Sequence, residues 1–212
     1  MTWQLPFSLF LMLLSSAARA QTLPADRLNA AVHQQSVLQF QQDLNKEFSN
    51  PQESPLTAAE RQGFSTLPYY PSNYAYYVVA KLVRDSTSQP FAMATSTERR
   101  PLYRKYGELR FVLNGQALQL SVYQDQELLK HPGLEDYLFV PFTDLTNGHG
   151  SYGGGRYIDL HLPPAGGTTA ISLDFNRAYN PSCAYNHRYS CPVPPAENRL
   201  AVAIPAGVRS DH

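Results

Sequence analysis

The chain has 212 residues, with 17 Lys and Arg against 17 Asp and Glu, 43% hydrophobic and 16% charged residues, 17 Pro and 12 Gly. Such a length suits one domain, or a domain with a tail, and 14 Tyr, 10 Phe and one Trp suffice for a packed core. Balanced charge supplies no global field to attract nucleic acid or an anionic membrane, so no nucleic-acid partner is expected.

The N-terminus, Met1 to Ala20, carries an apolar run from Phe7 to Leu14 followed by Ala18-Arg19-Ala20, the small-x-small pattern of a signal-peptidase site. The run is too short for the roughly 20 residues that span a bilayer, so residues 1–20 are expected to be a cleaved signal peptide and the mature chain to have no membrane span. This predicts a periplasmic or secreted protein. No Cys stands at the cleavage point, which excludes a lipid anchor there.

An N-terminal helical arm is expected over 21–65. Val37, Phe40, Leu44 and Phe48 recur on one face of a helix from Ser36 to Phe48, a stripe that must dock on something. Asn50, Pro51 and Pro55 break it, and Thr57-Ala58-Ala59-Glu60 is a capping box that starts a short helix ending at Gly63. From residue 66 to 212 the period changes. Tyr74 to Val83 is β-branched and aromatic, and Glu108 to Tyr123 alternates on both sides of Asn114-Gly115, the signature of a β-hairpin. Further strands are predicted at Tyr137–Phe142, Arg156–Leu162, Thr169–Phe175 and Leu200–Ile204, separated by Gly- and Pro-rich segments. The fold class is therefore mainly β, an antiparallel barrel or sandwich with an N-terminal helical arm.

Polar residues and glycines concentrate in two blocks, Phe139 to Asp159 and Asp174 to Gly207. They contain Pro141-Phe142-x-Asp144-x-Thr146, then Tyr152-Gly153-x-Gly155-Arg156-Tyr157. The second block runs Asp174-Phe175-Asn176-x-Ala178-Tyr179-Asn180-Pro181-x-Cys183-Ala184-Tyr185, followed by Cys191-Pro192-x-Pro194-Pro195-x-Glu197-Asn198. In order and spacing these elements resemble the bacterial and archaeal family known as domain of unknown function 1684, from about Leu38 onward. The resemblance implies a family and no activity.

Physically, Arg156 offers a planar fork of donors suited to a carboxylate or phosphate, beside glycines that let backbone approach a ligand. Tyr152 and Tyr157 add hydroxyls. The competing reading makes Arg156 a brace paired with Asp144, Asp159 or Asp174. A Tyr- and Arg-lined cleft would draw its contacts from Asp144, Tyr152, Arg156, Tyr157, Asp159, Asn176, Tyr179 and Asn180. Asn176 and Asn180 read equally as turn residues.

Cys183 and Cys191 fit a disulfide in an exported chain, one that would constrain the unfolded state by about 2.5 kcal/mol; buried thiols and a metal pair are the alternatives. His161 shares a strand face with Tyr157 and Asp159, a geometry able to hold a metal. Ser151 beside His149 does not make a nucleophile motif. No metal and no cofactor are expected. Three functions stay open: a cell-envelope module binding an anionic or polar small molecule, a hydrolase using an Asp carboxylate with Arg156 as electrostatic stabiliser, and a domain that docks a protein partner through the helical arm.

Overall fold

A computed structural model describes Met1 and residues 25–162 and 169–210; the rest of the expected signal peptide lies outside the described residues. Helix α1 spans Ala25–Ser49, longer than the apolar stripe alone predicts. The Ala- and Gln-rich sequence before Ser36 has the propensity to continue it. Helix α2, Ala58–Gly63, begins with the predicted capping box: Glu60 N–H donates to Thr57 Oγ1 at 3.3 Å, and Thr57 N–H donates to the Glu60 carboxylate at 2.8 Å.

The strands are β1 Tyr77–Arg84, β2 Phe91–Ala92, β3 Leu102–Leu113, β4 Gln116–Asp125, β5 Tyr137–Phe142, β6 Arg156–His161 and β7 Ala170–Asp174. They form one antiparallel sheet in the order β6-β5-β4-β3-β1-β7, with β2 added along β3, curled into a half-barrel. β3 and β4 turn at Asn114 (φ 50°) and Gly115 (φ 78°), the two positive φ angles that a two-residue turn demands. The expected strand at Leu200–Ile204 does not form. Its backbone instead caps the half-barrel, Leu200 N–H donating to Thr143 O at 2.8 Å and Ile204 N–H to Asp144 Oδ1 at 3.1 Å.

Strand alternation divides the sheet into two faces. Leu109, Phe111, Leu120, Val122, Leu138, Val140, Phe142, Ile158 and Leu173 point inward and pack with Phe175, Leu200, Ile204 and Ala206. Tyr103, Tyr123, Phe139 and Tyr157 point outward and pack with Met93, Cys183 and Cys191. Helix α1 lies against this assembly, with its stripe occupied from within the chain. Val37 is fully buried, Phe48 meets Phe64 and Tyr185, and His33 Nε2 pairs with Asp174 Oδ2 at 2.9 Å.

One polar side chain stitches the core where β4 and β5 share only the Tyr123–Phe139 pairing. Asn198, wholly buried, donates to Ser121 O at 2.8 Å and Pro141 O at 2.7 Å, and accepts from Ser121 N–H at 2.7 Å. Removing it leaves three buried backbone groups unpaired. Asn198→Ala is expected to cost about 2–4 kcal/mol, read as a lower urea midpoint at unchanged slope. An unchanged midpoint would show that the stitch contributes nothing.

Candidate functional site

On β6, Arg156, Ile158 and Leu160 face the inner core while Tyr157, Asp159 and His161 face outward. Arg156 is therefore sealed, its side chain 0% exposed, as is that of Asp144. Its Nη2 donates to Asp144 Oδ2 at 2.7 Å and to Ile204 O at 2.8 Å, its Nη1 donates to Ala206 O, and its plane lies over the Phe142 ring. Asp144 Oδ1 accepts from Thr146 N–H at 2.8 Å, from Thr146 Oγ1 at 2.6 Å and from Ile204 N–H. The guanidinium thus braces β6, the loop after β5 and the segment ending at Ala206. No cleft centred on Arg156 exists, because no part of its fork reaches solvent.

The glycine-rich loop serves this brace. Gly155 has φ 95°, and a Cβ there would lie 2.7 Å from Phe142 O and from Pro194 Cγ, so the chain can turn into β6 only without a side chain. Ser151 is buried against Thr146 at 2.8 Å and Asn147 at 3.1 Å, away from any catalytic pairing with His149.

Other expected ligand residues are also structural. Asn176 accepts from Asn73 N–H at 2.9 Å and donates to Asn73 O and Asp174 Oδ1. Buried Asn180 donates to Tyr185 Oη at 3.2 Å and Arg209 O at 3.3 Å. Tyr157 donates to Pro192 O, and Tyr152 is half-buried beside Cys183. The cysteines expected as a disulfide stand side by side as two buried thiols without a bond, Cys183 N–H donating to Cys191 Sγ at 3.2 Å. Burial pushes the Cys191 thiol up to about 12, so it holds its proton at neutral pH.

Asp159 and Tyr179 do come together, with Tyr137. The Tyr137 hydroxyl donates to Asp159 Oδ1 at 2.6 Å and the Tyr179 hydroxyl to Oδ2 at 2.8 Å. Asp159 keeps accessible surface although protein atoms surround its carboxyl. Its carboxyl is held above the usual Asp range by this desolvation, which outweighs the opposing hydrogen bonds of Tyr137 and Tyr179 and the field of His161. On α1, Glu47 is raised by its own desolvation and by the fields of Glu53 and Asp159.

Asp159 borders a groove of about 290 Å³ between α1, β6 and β7, lined also by Ser36, Tyr77, Ile158, Leu160, Ser172, Asp174 and Arg177. Most of the other polar groups are committed to one another. Tyr77 Oη lies 2.7 Å from Ser172 Oγ, Arg177 Nη2 donates to Ser36 Oγ at 2.8 Å, and buried Asp174 pairs with His33, Asn176 and the exposed Arg177. Of the two carboxylates lining the groove, Asp159 is the accessible one. His161 pairs instead with Asp136 at 3.2 Å, and among the described residues no group of three or more His, Cys, Asp or Glu could hold a metal.

The sequence reading missed Tyr137, Tyr77, Ser172, Ser36 and Arg177. Period-two alternation puts Tyr137 and Asp159 on outward faces, but the register that pairs Phe139 with Asp159 and Tyr137 with His161 depends on a long loop.

The raised carboxyl makes a signed prediction. A group whose folded pKa exceeds its unfolded value favours folding below the unfolded pKa, about 3.9 for Asp, and loses that contribution as pH rises through the folded value. Ionised Asp159 therefore costs stability at neutral pH. Asp159→Asn is expected to melt above the parent at pH 7, with the gap closing toward pH 3; a variant that melts lower at pH 7 would contradict this.

A protein-family model described as "Protein of unknown function (DUF1684)" matches residues 62–209. No curated protein matches the chain. The solution NMR structure of an uncharacterized protein of Haloarcula marismortui is similar at 32% identity and a TM-score of 0.67, covering 88% of this chain and 97% of that one. The matched span contains the Arg156 brace, Asp159 and both cysteines, and on these grounds the chain belongs to the DUF1684 family.

Proposed function

We propose that the protein is a cell-envelope module that binds a small polar molecule in the groove between α1, β6 and β7, with Asp159 as its anchor. One observation carries this reading: an accessible carboxylate held at fixed geometry by two tyrosine hydroxyls, its pKa raised by desolvation. Groups that destabilise the fold they sit in concentrate at functional sites. The charge offered is negative, with Glu47 in the same field, so the ligand that fits carries an amine or several hydroxyls. A groove of about 290 Å³ suits a molecule of monosaccharide or diamine size.

Export rests on the Phe7–Leu14 run and the Ala18-Arg19-Ala20 site. The adjacency of Cys183 and Cys191 supports a disulfide closing in an oxidising compartment. A hydrolase stabilised by Arg156 has no support from the geometry: Arg156 is sealed together with Asp144, Asp174 is buried against His33, and Asp159 faces the other side of β6. Docking through the α1 stripe is likewise unsupported, since Val37 and Phe48 are already buried.

Thermal unfolding against glucosamine, putrescine and glucose tests the proposal. Saturating ligand at about a hundred times its dissociation constant stabilises by about 2.7 kcal/mol, a shift of several degrees. At least one probe is expected to shift the parent and not Asp159→Asn. A shift that persists in the variant, or none with any probe, would refute the assignment.

A further inference from the structure

A second cavity, about 320 Å³, opens between the loop after β5 and the chain following Asn198. Its charged lining is opposite in character to the Asp159 groove. Arg199 and His149 both line it and are exposed, and neither side chain has a hydrogen bond, ion pair or ring contact among the described residues. The one carboxylate in its wall, Asp144, is sealed and spends both oxygens on Arg156, Thr146 and Ile204. Nothing in the lining therefore neutralises Arg199.

The walls are fixed before any ligand arrives. Thr143 and Leu200 are joined backbone to backbone at 2.8 Å, Leu145 N–H donates to Val202 O at 3.0 Å, and Asn147 is tied to Tyr152 O at 2.7 Å and to Asp144 N–H at 2.6 Å. Gly153 brings backbone to the cavity without a side chain. Leu145, 64% exposed, adds an apolar wall.

We infer that this cavity is an oxyanion site, independent of the Asp159 groove, which takes the carboxylate or phosphate of a small organic molecule. Arg199 supplies a planar two-pronged donor, His149 a second nitrogen donor, and Leu145 the surface for the organic part. Preorganised walls keep the ordering cost of binding small.

The test is titration of the full chain with inorganic phosphate and with succinate at constant ionic strength, followed by calorimetry and by backbone NMR shifts at Gly153 and Leu145. At least one probe is expected to saturate, and which one does so assigns the head group. Arg199→Ala should weaken it by about tenfold or more, the loss typical of a charge-assisted hydrogen bond, and Arg199→Lys by less. Asp159→Asn should leave the titration unchanged, so this site and the groove stand or fall separately. The assignment is overturned if neither probe saturates, or if Arg199→Ala, with native NMR dispersion, binds like the parent.

Discussion

The ion pair between Arg156 and Asp144 is the constraint on which the rest of this architecture depends. A guanidinium removed wholly from water is tolerable only when its partners are fixed, and here Asp144, Ile204 O and Ala206 O supply them. Those partners come from the loop after β5 and from the chain that caps the half-barrel, so the pair determines where both segments lie. The Gly155 turn, the Ser151 and Thr146 hydroxyls and the caps made by Asp144 follow from the need to deliver one charged side chain into an apolar core. Breaking such a pair by removing one partner strands a buried charge at a cost of about 3–5 kcal/mol, a large share of a typical domain's stability.

A brace whose two terminal nitrogens are committed to Asp144, Ile204 O and Ala206 O, and whose Nε is buried without a partner, leaves chemistry to the other face. The same two-residue period that buries Arg156 turns Asp159 outward, on a strand whose edge borders a groove with α1 and β7. The helical arm is in this sense part of the site. Its stripe packs on the domain through Val37 and Phe48, and Ser36 and Arg177 close one end of the groove. Negative charge at Asp159 and unneutralised positive charge at Arg199 then occupy separate cavities of a chain whose formal charge sums to zero.

Much of the fold was legible in local sequence because local physics decides it. Thr57-x-x-Glu60 caps a helix, Asn114-Gly115 accepts positive φ, and Tyr137–Phe142 forms a strand with the expected bounds. Leu200–Ile204 reads as a strand from composition, yet Thr143 and Asp144 draw off its backbone donors, a tertiary competition no local pattern reveals. The role of Arg156 was within reach: it shares a strand face with Ile158 and Leu160, and that face is core. Asp159 was nameable as polar and outward, but its two tyrosine partners come from β5 and from beyond β7, and only the folded half-barrel brings them within 2.6 Å and 2.8 Å.

The central claim is that Asp159 is the desolvated yet reachable carboxylate of this molecule. The most direct measurement is an NMR titration of the Asp159 side-chain carboxyl carbon. The structure predicts an inflection above the ordinary Asp value of about 3.9 that moves further when Tyr137 or Tyr179 is changed to Phe, since each hydroxyl stabilises the ionised form. An inflection at or below that value, indifferent to both tyrosines, would mean the carboxylate is simply solvated and the groove is not a site.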